Sequence, residues 1–206
     1  HLIVITSTVL PGSTHGRIIP TVEIASGKKV ETDFGICYSP EFVALGNVVQ
    51  DMLTPDIVLI GQSDQKAGDL LLEIYESIIE NKPSVQRMNI VNAEMTKLAV
   101  NTFVTTKITF ANMISQICEK LQGANADIVT AAVGSDSRIG AKYFNPGVAY
   151  GGPCFPRDNK ALSYLARSLG TIASLAEATD AENSEQIIRL GNLVKEHLKD
   201  GECVSI

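Results

Sequence analysis

The sequence predicts an α/β unit running to about residue 87, followed by an all-α unit. Three observations carry that prediction. Short apolar, β-branched runs closed by glycine or proline recur in the first part of the chain. From about residue 88 the pattern changes to long helical stretches. The most crowded turn cluster, GVAYGGPCFPRDNKAL at 147–162, falls between two of those stretches.

Taken in order, HLIVITSTV reads as a first strand, ended by the turn residues LPGST. A run with no clean alternation fits a strand covered on both faces, as in a parallel sheet. THGRIIPTVEIAS follows as a short helix, then KKVETDFGICYSP as a second strand ending at Pro40 and PDIVLIG as a third, closed by Gly61. SDQKAGDLLLEIYESII predicts a helix capped by Ser63 or Asp64, with Leu70, Leu71, Ile74 and Ile78 on its apolar face. Asn92 to Gly123 is one long helical pattern, with Asn92 as its cap, Glu94 near its start and Gly123 as its stop. ADIVTAAVGSDSRIG, DNKALSYLARSLG and LAEATDAENSEQIIRLGNLVKEHL are three further helices, and the closing GECVSI reads as a strand beginning. The chain opens on a strand without a methionine and closes on another, so a segment of a longer protein is expected.

Composition narrows the function. With 206 residues and 45% hydrophobic content, the chain supports one large core or two smaller ones. A net charge of −6 argues against nucleic acid, whose phosphates call for a basic face. No apolar run reaches membrane-spanning length, and there is no secretion signal. The four cysteines, Cys37, Cys118, Cys154 and Cys203, lie far apart with neither CxxC nor zinc spacing. They read as reduced cytoplasmic thiols, and no metal site is expected.

Several residues could carry chemistry. Cys154 lies among Gly151, Gly152 and two prolines, and PRDNKAL is a plausible helix start that would put the thiol at a positive helix end. Asp158 follows one turn on. The competing reading is a cysteine simply packed between small residues. Lys97 and Asn101 share one face of the long helix, with Leu98, Val100 and Phe103 around them. Such a lysine either snorkels to solvent or is held in a site by an anion. Glu41 follows a strand and Pro40, and Ser7 and Thr8 end another strand; loops at the carboxyl ends of strands are where open α/β sheets bind ligands. A solvated loop carboxylate is the alternative for Glu41. His1, His15 and His197 have no comparable setting, which disfavours a Cys–His dyad and favours covalent capture of a carbonyl by the thiol.

Four blocks in order, STVLPGST, SPEFVALGNVVQDMLTPDIVLIG, AEMTKLAVNTFVTTKITFANMIS and SRIGAKYFNPGVAYGGPCFPRDNKAL, resemble the UDP-glucose/GDP-mannose dehydrogenase family. The resemblance covers nearly the whole chain. It implies the C-terminal part of a Rossmann-like NAD-binding domain at 1–87, a helical central dimerisation domain with its linking helix at 88–200, and the start of a C-terminal nucleotide-sugar-binding domain at 201–206. It implies NAD as cofactor, a nucleotide sugar as substrate and a homodimer formed through the central helices. The expected reaction oxidises the sugar C6 alcohol to a carboxylate in two steps, through a cysteine thiohemiacetal and a thioester. On the matching positions Cys154 is the nucleophile and Lys97 stabilises the oxyanion, with Asn101 beside it. Asp158 and Thr8 hold water, and Glu41 assists thioester hydrolysis. Arg138 reaches a neighbouring subunit's sugar site, Tyr143 to Tyr150 with Gly151 wrap the sugar, and Ser7, Thr8 and Arg157 face the cofactor.

The chain also departs from the family pattern. It contains no GxGxxG, so the isolated segment is expected to lack dehydrogenase activity. Leu45 stands where relatives often have a second glutamate, and Pro153 replaces a common serine. The alternatives left open are a non-catalytic helical dimerisation module and a thiol-independent dehydrogenase that oxidises its alcohol only once.

Overall fold

The computed structural model describes residues 1–43 and 46–198. Leu45, Cys203 and the stretch 201–206 lie outside them. The chain forms two compact units, His1–Ala99 and Val100 onward, with the division inside one continuous helix.

The first unit contains β1 (Leu2–Ile5), a wide helical turn at Thr14–Ile18 leading into α1 (Ile19–Ser26), β2 (Gly35–Tyr38), α2 (Val48–Leu53), β3 (Ile57–Gln62), α3 (Gln65–Ile78) and β4 (Ser84–Asn89). Helix α4 (Ile90–Cys118) then begins. The sheet runs β1-β2-β3-β4. It is parallel at both ends but antiparallel at β2–β3, where Cys37 faces Gln62 and Tyr38 faces Gly61. The parallel expectation failed there because an apolar run reports burial on two faces and says nothing of the neighbour's direction.

Alternate residues of the inner strands face opposite sides, as the pleat requires. Ile36, Tyr38 and Leu59 pack with Ile19 of α1 and with Ile90 and Ala93 of α4. Cys37, Val58 and Ile60 pack with Ala67 and Leu71 of α3. Gly61 allows α4 to lie directly on β3: a Cβ there would meet Ala93 Cβ at 2.6 Å and Ile90 Cα at 3.0 Å.

Two sequence expectations are corrected here. The inward face of α3 is Ala67, Gly68 and Leu71, with Leu72, Tyr75 and Ile79 partly buried beside it; Leu70, Ile74 and Ile78 are exposed. The apolar run LLLEIYESII offers two overlapping stripes, and contact with the sheet selects the one carrying Tyr75, whose hydroxyl pairs with Ser39 Oγ at 2.8 Å. Asp64, not Ser63, caps this helix, accepting from the Ala67 amide at 2.9 Å. Strand β4, SVQRMN, and the short helix α2 were not expected. A half-solvated edge strand needs no apolar run, because the β3 ladder supplies its pairing.

The second unit comprises the rest of α4, α5 (Ala126–Gly134), α6 (Phe155–Ser168) and α7 (Ser174–His197). Asn89, rather than Asn92, caps α4: its side chain accepts from the Asn92 amide at 2.9 Å. The helix ends at Cys118, and Gly123 closes the following turn with φ +83°. The interior of this unit is unusually polar, with Thr105, Asn112, Thr130, Asp158, Asn159, Thr179, Asn183 and Gln186 all buried. On α4, by contrast, Phe103, Phe110, Met113 and Ile117 are exposed, as is Leu121 in the turn that follows.

Candidate active site

In the first unit α4 presents Glu94 and Lys97 towards the loops at strand ends. Lys97 is only 8% exposed, so it does not snorkel. Its Nζ donates to the Glu41 carbonyl at 2.5 Å and sits 4.4 Å from the centre of the Phe42 ring. Glu41 itself is half-buried, and burial pushes its carboxyl above the ordinary range while the Lys97 charge pulls it back. Ser7 is exposed and Thr8 half-buried, both just past the carboxyl end of β1.

Glu94 holds the next part of that loop. Fully buried, it accepts from the Gly12 amide at 2.6 Å and from the Thr14 amide at 2.9 Å. The sequence marked Glu94 only as suiting a helix end. Its spacing from Lys97 and Asn101 was the available signal, since i, i+3 and i+7 share one helix face.

In the second unit Cys154 is exposed and occupies the N-cap position of α6, with no side-chain cap bond. The Asp158 amide donates to its carbonyl at 2.9 Å. Asp158 is fully buried, yet each carboxylate oxygen is satisfied. Asn101 Nδ2 donates to Oδ2 at 2.6 Å, and the Arg157 fork reaches Oδ1 through Nε and Nη2, both at 2.9 Å. Thiol, carboxylate and amide therefore gather around the first turn of α6, where the helix end favours negative charge. Gly152 takes φ +76°, and a Cβ on Gly151 would meet nothing within 4 Å, so no packing within the described residues excludes a side chain there.

The remaining predicted contacts are dispersed. Arg138 is exposed after α5 and paired with Asp136 at 2.6 Å, which raises the guanidinium pKa further and lowers that of the carboxyl. Tyr143 is half exposed and holds φ +61°, a left-handed conformation uncommon for a tyrosine. Tyr150 is buried, its phenol turned into the protein. What the sequence offered as a sugar contact is thus an internal anchor.

Side-chain amides fasten the loop from behind. The Gly147 amide donates to Asn112 Oδ1 at 2.8 Å, and its carbonyl accepts from Gln186 Nε2 at 2.8 Å. Sequence reading missed these residues because polar positions at helical spacing, such as Thr179, Asn183 and Gln186, look like a solvated face. Among the described residues no group of three or more His, Cys, Asp or Glu suits a metal ion, and no helix is long and apolar enough to cross a membrane.

Residues 1–79 match the NAD binding domain of the UDP-glucose/GDP-mannose dehydrogenase family, and residues 91–185 match its central domain. A UDP-glucose 6-dehydrogenase of Haloferax volcanii is 37% identical over 209 residues, covering 100% of this chain and 48% of that protein. A GDP-mannose 6-dehydrogenase of Pseudomonas putida is 37% identical over 201 residues, covering 97% of this chain and 45% of that protein. The structure of a UDP-glucose dehydrogenase from Pyrobaculum islandicum superposes with a TM-score of 0.87 at 34% identity, covering 95% of this chain and 44% of the other. The chain spans about half the length of the curated relatives it matches. Matched in order by the NAD-binding and central domains over most of its length, it belongs to the UDP-glucose/GDP-mannose dehydrogenase family.

Proposed function

We propose that these residues are the core of an NAD-dependent nucleotide-sugar 6-dehydrogenase, active in a polypeptide of its relatives' length and inactive as the 206-residue chain alone. The observation that carries this reading is the exposed Cys154 thiol at the start of α6, with the buried Asp158 carboxylate one turn on. The hydroxyls of Ser7 and Thr8 past β1, and the half-exposed Arg157 guanidinium, fit parts of a dinucleotide. NAD, when bound, supplies the hydride acceptor for both oxidations.

The residues divide the remaining work. The Cys154 sulfur adds to the C6 aldehyde, whose oxygen becomes an alkoxide; the Lys97 ammonium stabilises that charge, with Asn101 assisting. Loss of hydride from the thiohemiacetal carbon leaves a thioester. Water then adds to the acyl carbon and the thiolate departs, giving the carboxylate. Thr8 orients that water while the buried Asp158 carboxylate holds the Asn101 amide in place, and Glu41 assists in removing the water's proton, a role suited to a carboxyl whose affinity for protons burial has raised. Tyr143 and the peptides around Gly151 contact the sugar, and Arg138 reaches a neighbouring subunit's sugar site. The exposed apolar stripe on α4 supports a homodimer, and the unpaired thiols Cys37, Cys118 and Cys154 support a reducing, cytoplasmic setting.

The test is a panel of UDP- and GDP-sugars assayed with the longer polypeptide, together with Cys154→Ala. Two NADH per sugar, abolished by the substitution, is the expected result. One NADH per sugar would support the single-step alternative, and none with any sugar would support the non-catalytic module.

A further inference from the structure

The loop that carries Cys154 is held from α7 by residues to which no role has been given above. One side chain grips the Tyr150 peptide on both sides: the amide donates to Asn183 Oδ1 at 2.8 Å and the carbonyl accepts from Asn183 Nδ2 at 2.9 Å. The Tyr150 phenol donates to Asp180 Oδ1 at 2.5 Å. Asn159 Nδ2 completes the cluster, 3.1 Å from the phenol oxygen, 3.0 Å from Asp180 Oδ1 and 3.0 Å from Thr105 Oγ1. The Tyr150 ring also meets Phe155 edge-on, with centroids 6.2 Å apart.

Cys154 therefore lies between two anchors. Upstream is the Tyr150 cluster, and downstream is Asp158, whose amide donates to the Cys154 carbonyl. Asn159, adjacent to Asp158 in the chain, joins the two. Between the anchors lie Gly151 and Gly152, the residue type with the freest backbone, and then Pro153, which stiffens only the step next to the sulfur; the two glycines leave the upstream anchor to set where that rigid step begins.

We propose that Tyr150, Asp180 and Asn183 are positioning residues for the Cys154 thiol, fixing the upstream end of its loop through a buried phenol–carboxylate–amide cluster. The proposal rests on the reading of Cys154 as the nucleophile. Its geometric part does not need that reading.

Two measurements test it. Hydrogen exchange on the 206-residue chain compares wild type with Tyr150→Phe, which keeps the ring and removes only the hydroxyl. Exchange across 147–154 should accelerate at least about tenfold, with amides of α6 and α7 changing less than about twofold. An unchanged loop, or equal acceleration throughout these helices, overturns the proposal. In the longer polypeptide Tyr150→Phe should lower kcat by roughly 10- to 100-fold, since an ångström of misplacement costs about 10²-fold, with KM for the nucleotide sugar moving less than about threefold. Asp180→Asn keeps an acceptor oxygen for the phenol and should hold kcat within about threefold of wild type, whereas Asp180→Leu should match Tyr150→Phe. Equal losses in Asn and Leu, or no loss in either Leu or Phe, refute it. An inactive wild-type polypeptide counts against the dehydrogenase reading alone, and hydrogen exchange then decides the anchor by itself.

Discussion

Glu94→Gln isolates the contribution of a buried charge at almost constant volume. The carboxylate is fully buried and accepts from the Gly12 amide at 2.6 Å and the Thr14 amide at 2.9 Å. Glutamine can offer its oxygen to one amide only, and its NH₂ then faces the other donor. One charge-assisted bond, worth about 1.5–3 kcal/mol, is lost, and a buried N–H left without an acceptor costs about 1–3 kcal/mol. A net loss of about 3 kcal/mol follows, since the bond to Gly12 survives in weakened form. For a chain of this size that corresponds to a fall in the unfolding midpoint of roughly 6–12 °C. Urea and thermal unfolding followed by circular dichroism measure it directly. Glu94→Asp, which keeps the charge but shortens the reach, should fall between wild type and Glu94→Gln. A loss under about 0.5 kcal/mol for Glu94→Gln would show that the loop does not depend on this carboxylate, and that its hold on the segment beyond Ser7 and Thr8 is incidental.

Three further outcomes are expected. Gly152→Ala should cost about 1–2 kcal/mol because Gly152 sits at φ +76°; Gly151→Ala should stay within about 0.5 kcal/mol yet raise KM for the nucleotide sugar in the longer polypeptide, which steady-state kinetics would reveal. Lys97→Met keeps the buried stem beside Phe42 and removes the cation, so kcat should fall by about 10² or more with folding intact by circular dichroism; retained turnover would remove Lys97 from the chemistry. Burial, reinforced by Asp64, pushes the Cys37 thiol from its ordinary 9.0 up to about 11. The unfolded chain therefore releases this proton first as pH rises, so stability is complete below about pH 9 and declines towards pH 11, by roughly 3 kcal/mol in all. Urea unfolding between pH 8 and 11 should show that decline, and Cys37→Ala should flatten it.

Much of the fold was legible because it depends on local regularities. Apolar β-branched runs, helix stops and the change from strand spacing to helix spacing located the strands β1 to β3 and the long helices. The crowded glycine and proline cluster around Cys154 pointed to the thiol before any coordinates, since such residues place backbone where side chains would obstruct it. What escaped was whatever depends on a distant partner. β4 is polar because it is an edge, and only its pairing with β3 makes it a strand. The inward face of α3 could not be chosen from the run alone, because LLLEIYESII offers two overlapping apolar stripes.

The same distinction runs through the site. The sequence by itself determined which groups are present and roughly where each lies on its element: Cys154 at a helix start, Asp158 one turn later, Lys97 and Asn101 on one face of α4. Tertiary structure decided their states, because burial and hydrogen bonding are properties of neighbours. It made Lys97 a held cation instead of a snorkelling one, sealed Asp158 between Asn101 and Arg157, and turned Tyr150 inward to Asp180 and Asn183. Asparagine and glutamine on α4 and α7 read alike whether they face water or clamp a peptide, and only the packing of the unit around them separates the two.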